Sequence, residues 1–323
     1  MRGALRDGSG AAILSVALLL ALTTVPGAAQ TPGGMPSDIE WKLAKLGAVI
    51  NPPETAKLYA PLQQKEPYPG VNVTRDVAYG SDARHRLDLF VPEASAATPR
   101  PVLIFVHGGA FTRGDRRSPP GGPFYDNIML FAARNGVIGV NATYRLAPQH
   151  QWPAAAEDLG AAVRWVSEHI TGHGGDPARV FLMGHSAGAV HVASYVAHRQ
   201  FHGPKGIGLA GAILTSGLYD LTTSSPGPAE KAYFGEDAAK YGERSSLAGL
   251  VATPIPLLVA HAELDPPVFR QQAKQLTEAL CQAGHCPRTV SLARHSHMSE
   301  VYAINTTDTA LSGPILAFIE GEK

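Results

Sequence analysis

The segment Pro101–Val106 constrains the fold most, because Val-Leu-Ile-Phe-Val runs without a polar break. A strand with one face in water alternates apolar and polar residues, so an unbroken apolar strand reads as buried on both faces. Such strands belong to parallel sheets covered by helices, and the sequence that follows supplies them. Phe124–Asn135 reads as a helix, Val137–Ala142 as a strand, Ala154–Ile170 as a long amphipathic helix and Arg179–Met183 as a strand. Ala187–His198 then reads as a helix and Ala210–Thr215 as a strand. Residues 217–250 are rich in Gly, Pro and Ser and show no clear period. Beyond them come a strand at Ile255–His261, a helix at Val268–Ala283, a strand at Arg288–Ala293 and a closing helix at Thr307–Glu320. Alternation with short connections predicts an α/β fold class, a mostly parallel doubly wound sheet with helices on both faces. Upstream, Val71–Tyr79 and Arg86–Val91 alternate as half-buried antiparallel strands do. Residues 30–69 read as an arm lying on the domain, with one helix near Ser37–Leu46, and residues 70–323 as a single domain.

Between the strand at Arg179–Met183 and the helix at Ala187–His198 lies Gly184-His185-Ser186-Ala187-Gly188. A serine on a sharp strand-to-helix turn presents its hydroxyl at a helix N-terminus, where amide dipoles favour negative charge. The flanking glycines allow the close backbone approach that such a turn needs. Ser186 is therefore the candidate nucleophile.

His107-Gly108-Gly109-Ala110-Phe111 follows the buried strand directly. Acyl transfer needs prepositioned donors for the oxyanion of the tetrahedral intermediate, and a glycine-rich loop can present backbone N–H groups there.

A serine hydroxyl is a weak nucleophile and needs a base, itself oriented by an acid. With the chain order Ser, acid, His, the acid falls after a late strand. Asp265 in Ala262-Glu263-Leu264-Asp265-Pro266-Pro267 is the first choice, with Glu263 and Asp220 as competitors. The base falls after the last strand, where Arg294-His295-Ser296-His297-Met298-Ser299 offers His297, with His295 as the alternative.

Composition sets outer bounds. The 323 residues are 45% hydrophobic and 17% charged, ordinary for a globular enzyme. Lys plus Arg and Asp plus Glu number 27 each, which gives no sign of a nucleic-acid or anionic-membrane partner. At the start, Arg2 and Arg6 precede an apolar run from Ala11 to Val25 and the small residues Gly27, Ala28 and Ala29. The run is about 15 residues, short of the ~20 that span a bilayer. Residues 1–29 read as a signal peptide, with an uncleaved membrane anchor as the alternative, the mature chain as free of a membrane span, and the protein as exported, periplasmic or secreted. Cys281 and Cys286 are the two cysteines, read as structural and suited to a disulfide in an oxidising compartment. Only His285 lies between them and no second pair follows, so no zinc site is expected.

Taken together, His107–Phe111, Gly184–Gly188, Asn141-Ala142-Thr143-Tyr144-Arg145-Leu146-Ala147-Pro148 and the Asp265 and His297 segments resemble the bacterial carboxylesterases of the α/β-hydrolase superfamily. The nearest branches are the hormone-sensitive-lipase-like and the feruloyl-esterase or kynurenine-formamidase-like ones. The resemblance covers roughly Val71 to the C-terminus. It implies Ser186 as nucleophile, Asp265 as acid and His297 as base, with the N–H groups of Gly109, Ala110 and Ala187 as oxyanion donors. It also implies that His107 and Tyr144-Arg145 shape the oxyanion loop. Ala110 replaces the third glycine usual in the family, and His-Met-Ser replaces the His-Gly-Phe of the lipase-like branch.

The expected activity is hydrolysis of small, uncharged carboxylic esters through an acyl-serine intermediate, with no metal or organic cofactor. Arylformamide hydrolysis and a catalytically inactive binding role are the alternatives. The 217–250 segment, with Tyr219, Tyr233, Phe234 and Tyr241, reads either as a lid or pocket wall or as a solvated excursion. Trp152 and Trp165 suit packing roles. Oligomeric state is not legible in the sequence.

Overall fold

Eight strands form one sheet: β1 (Val71–Ala78), β2 (Arg86–Pro92), β3 (Arg100–Val106), β4 (Ile138–Ala142), β5 (Gly175–His185), β6 (Gly211–Thr215), β7 (Leu257–Leu264) and β8 (Arg288–Ser296). Their order is β1-β2-β4-β3-β5-β6-β7-β8. The pairs β1–β2 and β2–β4 are antiparallel, and every pairing from β4 to β8 is parallel. This is the α/β class and sheet type that the alternating pattern predicts. The computed structural model describes Met1 and residues 34–118 and 121–321. The expected signal peptide, residues 1–29, lies outside the described residues.

The helices are α1 (Ser37–Leu46), α2 (Pro52–Tyr59), α3 (Asp126–Arg134), α4 (Ala154–His169), α5 (Ala187–Ala197), α6 (Pro228–Phe234), α7 (Tyr241–Arg244), α8 (Leu247–Val251), α9 (Pro267–Gln282), α10 (Ser299–Tyr302) and α11 (Ser312–Glu320). None of the described helices is long and apolar enough to cross a membrane. Two apolar layers flank the sheet. One, against α4 and α5, holds Ile104, Val140, Leu159, Val163, Leu182 and Val192. The other, against α1, α3 and α11, holds Leu43, Phe105, Ile128, Met129, Met183 and Ile315.

Three expectations need correction. Arg86–Val91 is not half-buried: Leu87, Asp88, Leu89 and Phe90 are all buried, because β2 lies inside the sheet between β1 and β4. Only β1, at the edge, shows the alternating burial expected of both strands. The arm carries a second helix, α2, announced by Asn51-Pro52-Pro53-Glu54. The Asn51 side chain accepts from the Glu54 N–H (3.2 Å) and proline occupies the first helical position, a start signal that periodicity alone passes over. The 217–250 segment is not irregular. It folds into α6, α7 and α8, and Tyr219, Tyr233, Phe234 and Tyr241 are buried in the α4–α5 layer. Helices this short show too few turns for a period to stand out.

Cys281 and Cys286 form a disulfide across the turn after α9.

Candidate active site

Ser186 occupies the junction of β5 and α5, with φ 56° and ψ −124°. A non-glycine residue in that region is strained, of order 1–3 kcal/mol, and is held there by its surroundings. The Ser186 N–H donates to the Thr215 carbonyl of the neighbouring strand (2.9 Å). Both flanking glycines are sterically required. A Cβ on Gly184 would lie 2.4 Å from the Gly188 backbone, and one on Gly188 would lie 2.1 Å from the Val106 carbonyl oxygen. The elbow therefore packs directly against the end of β3. As the first residue of α5, Ala187 has an N–H without an intrahelical acceptor.

The turn after β3 runs beside the elbow. Gly109 has φ +135°, and a Cβ there would lie 1.9 Å from the Arg113 carbonyl oxygen. Ala110 (φ 50°) and Phe111 (φ 64°) continue the left-handed path. The turn is tied down at several points: Arg113 N–H to Gly109 carbonyl (3.1 Å) and Ala147 N–H to Phe111 carbonyl (3.0 Å). The Tyr144 hydroxyl donates to the His107 carbonyl (2.8 Å), and the two rings stack at 4.5 Å. His107 and Tyr144 thus hold the loop without facing the cleft. Arg145 pairs instead with the buried Asp158 (2.6 Å). Among the described residues, the amides of Gly109 and Ala110 donate to no backbone carbonyl, which leaves both free to receive an anion.

Asp265 and His297 meet at the carboxyl end of the sheet, fully buried. His297 Nδ1 lies 2.7 Å from Asp265 Oδ1. The other carboxylate oxygen accepts from the Ser216 hydroxyl (2.6 Å) and the Ala262 N–H (2.9 Å). Burial pushes the Asp265 carboxyl up, but the bonds from His297, Ser216 and Ala262 outweigh it, so the group stays ionised below the usual carboxylate range. An acceptor-only carboxylate fixes the proton on Nδ1 and leaves Nε2 as the lone-pair nitrogen. His297 Nε2 has no hydrogen-bond partner, and His297 and Ser186 line one cleft of about 320 Å³ with Gly108, Gly109 and Ala110.

The competing residues are engaged elsewhere. Glu263 is exposed and accepts from the Arg294 N–H (2.7 Å). Asp220 caps a turn through Thr222 (2.9 Å) and holds Gln275 (2.9 Å). His295 is buried against Asp308 (3.1 Å) and Ser299 (3.1 Å).

Behind His297 sits a second buried pair. His185 Nε2 lies 2.7 Å from the His297 carbonyl and 3.2 Å from Glu300 Oε1. Burial holds His185 neutral, its pKa pushed down to about 3, and pushes Glu300 well above the usual carboxyl range. Donor atoms of His185, His297 and Glu300 fall within 4.8 Å of one another, a spacing a metal ion could use. His185 Nε2 is already committed to the His297 carbonyl and burial disfavours the charged form of Glu300, so the set reads as a packed network.

Sequence reasoning did not single out Ser216, which supports Asp265, nor the other cleft residues Arg113, Ser118, Tyr125, Tyr302, Ile50 and Pro52. Ser216 follows β6 directly with φ 50°, a position no motif marks.

A serine on a strained elbow, a buried imidazole–carboxylate pair and unpaired amides thus lie together above a parallel sheet. Residues 103–299 match the family of the alpha/beta hydrolase fold, and the chain belongs to that family. It is 30% identical over 253 residues to Esterase LipQ of Mycobacterium tuberculosis, spanning 72% of this chain and 58% of that protein. It is 37% identical over 136 residues to the gibberellin receptor GID1 of Oryza sativa, spanning 41% of this chain and 36% of the receptor. The chain thus spans less than two thirds of the length of either relative. Its fold is shared with a structure titled Bacterial Heroin Esterase (TM-score 0.66, 24% identity, 89% of this chain and 98% of the other). The hyperthermophilic esterase of Pyrobaculum calidifontis shares it too (TM-score 0.64, 19% identity, 90% and 99%).

Proposed function

We propose that this protein hydrolyses small carboxylic esters through an acyl-Ser186 intermediate. Ser186 Oγ attacks the ester carbonyl while His297 Nε2 takes the hydroxyl proton, and the Asp265 charge stabilises the imidazolium that forms. The carbonyl oxygen, now an oxyanion, is received by the N–H groups of Gly109, Ala110 and Ala187. The C–O bond to the alcohol breaks as His297 returns the proton to the leaving oxygen. Water, activated by the same imidazole, then releases the acid and restores Ser186.

The observation that carries this reading is the 2.7 Å His297–Asp265 contact with Nε2 left unpartnered in the cleft that Ser186 lines. Ser186→Ala is expected to abolish turnover of 4-nitrophenyl butyrate while circular dichroism is unchanged; turnover near the wild-type rate would end the reading. Likeness to the gibberellin receptor GID1 favours one second reading, a hydrolase-like protein used for binding. Labelling of Ser186 by a fluorophosphonate probe, abolished by prior heat denaturation, supports the enzyme against it.

Export from the cytoplasm is part of the same proposal. It is supported by the apolar run at Ala11–Val25 followed by small residues and by the Cys281–Cys286 disulfide, since disulfides persist in oxidising compartments.

A further inference from the structure

Among the described residues that line the cleft beside Ser186 there is no aspartate or glutamate, and Arg113 is the one Lys or Arg. That residue is fixed at the root of the oxyanion turn, because its N–H donates to the Gly109 carbonyl (3.1 Å). Its own carbonyl fills the space that a side chain at Gly109 would need. Two further arginines on the same loop are neutralised: Arg116 by Asp88 (2.5 Å) and Asp76 (2.6 Å), Arg117 by Glu66 (3.5 Å) and Asp126 (3.7 Å). The Arg113 side chain is exposed and makes no hydrogen bond or ion pair with any described residue. Ser118, Tyr125 and Tyr302 also line the cleft. Burial keeps both phenols protonated, Tyr302 pushed up to about 12 and Tyr125 well above its ordinary value. The cleft therefore offers hydroxyl donors, an unpaired arginine at its edge and, among the described lining residues, no carboxylate to oppose an anion.

Resting on the ester-hydrolase reading, we propose that the site prefers esters bearing a second, anionic group, a carboxylate within a few bonds of the scissile carbonyl, and that Arg113 is the residue that selects it. A guanidinium matches a carboxylate through paired N–H donors, and a partly desolvated cleft strengthens the attraction relative to water. An uncharged ester gains nothing from this group, so the selection appears as a ratio between two otherwise matched substrates.

The test compares mono-4-nitrophenyl succinate with 4-nitrophenyl butyrate on wild type, Arg113→Gln and Arg113→Lys. The wild type is expected to favour the succinate in kcat/KM. Arg113→Gln should cut the succinate-to-butyrate ratio by about tenfold, and Arg113→Lys should keep part of it. The ratio should also fall as salt rises from about 10 mM to 0.5 M, since screening shortens the reach of a rim charge. A wild-type ratio of one or less overturns the proposal while butyrate turnover leaves the ester-hydrolase reading standing. An Arg113→Gln loss of equal size on both esters assigns Arg113 to general support of the turn and also overturns it. A protein that turns over neither ester overturns both readings.

Discussion

Phe111 stacks on Tyr233 with ring centroids 5.2 Å apart and planes 5° apart, and this contact joins the oxyanion turn to α6. Phe234 (5.7 Å) and His191 (5.4 Å) close the box edge-on. Two consecutive residues at positive φ, Ala110 and Phe111, need something to hold them there, and the box does so. Phe111→Ala is expected to lower kcat by about 10²-fold with a much smaller change in KM, because displaced amides miss the oxyanion more than the ground state. It should also lower stability by about 3–5 kcal/mol in urea unfolding. Phe111→Leu should recover most of kcat. A kcat loss that vanishes once the variant is shown to be fully folded would contradict the positioning role.

Asp265 is held by three donors, and the His297 imidazole bonds to Asp265 alone. Asp265→Asn is therefore expected to let the imidazole adopt the wrong tautomer and lower kcat by about 10³–10⁴-fold at pH 7. Fluorophosphonate labelling rates should fall in parallel. Labelling at the wild-type rate would show that another acid serves His297.

Acid should destabilise the fold through its buried histidines. Burial pushes His191 and His185 down to about 3 and His107 down to about 4. The folded state keeps them neutral, whereas the unfolded chain takes up protons below about pH 6.5, so stability is full above that value and is lost as pH falls towards 3–4. His191 is the one to test, since neither ring nitrogen has a partner within its cage of Phe111, Tyr144 and Tyr233. His191→Leu should shrink the stability difference between pH 8 and pH 5 by about 2 kcal/mol, measured by urea unfolding at both values. An unchanged difference would show that other groups set the acid limit.

The Cys281–Cys286 bridge closes a loop with a sequence separation of 5. On the chain-entropy account so short a loop contributes about 2 kcal/mol at most. The double variant Cys281→Ser, Cys286→Ser should therefore lower stability by no more than that and leave kcat unaltered. Neither cysteine lines the cleft. A larger loss would mean that the bridge orders more than its own turn.

The sheet and the site were legible in the sequence to different depths. An apolar strand at Val102–Val106 and the small-residue pattern around Ser186 are local, and each reports on its own burial or turn. Asp265 and His297 were legible because chain order and strand ends narrow the choice to a few residues. What separates His297 from His295 is visible only in three dimensions, where His297 lies against Asp265 and His295 against Asp308. Ser216, Arg113 and the box around Phe111 depend on packing between segments distant along the chain, such as the contact between residues 111 and 233. Residue types alone do not encode such pairings. β2 was misread because alternation in sequence is also compatible with a strand flanked on both edges and covered on both faces.

At Gly188 the helix that starts at Ala187 is pressed so close to the end of β3 that no side chain fits between them. The Ser186 elbow and the turn that follows β3 are therefore packed against each other as one unit. Accommodation of differently shaped esters falls to the rest of the rim, where Ile50 and Pro52 of the arm line the cleft. Substitutions there can retune which molecules enter while the reacting centre stays as it is.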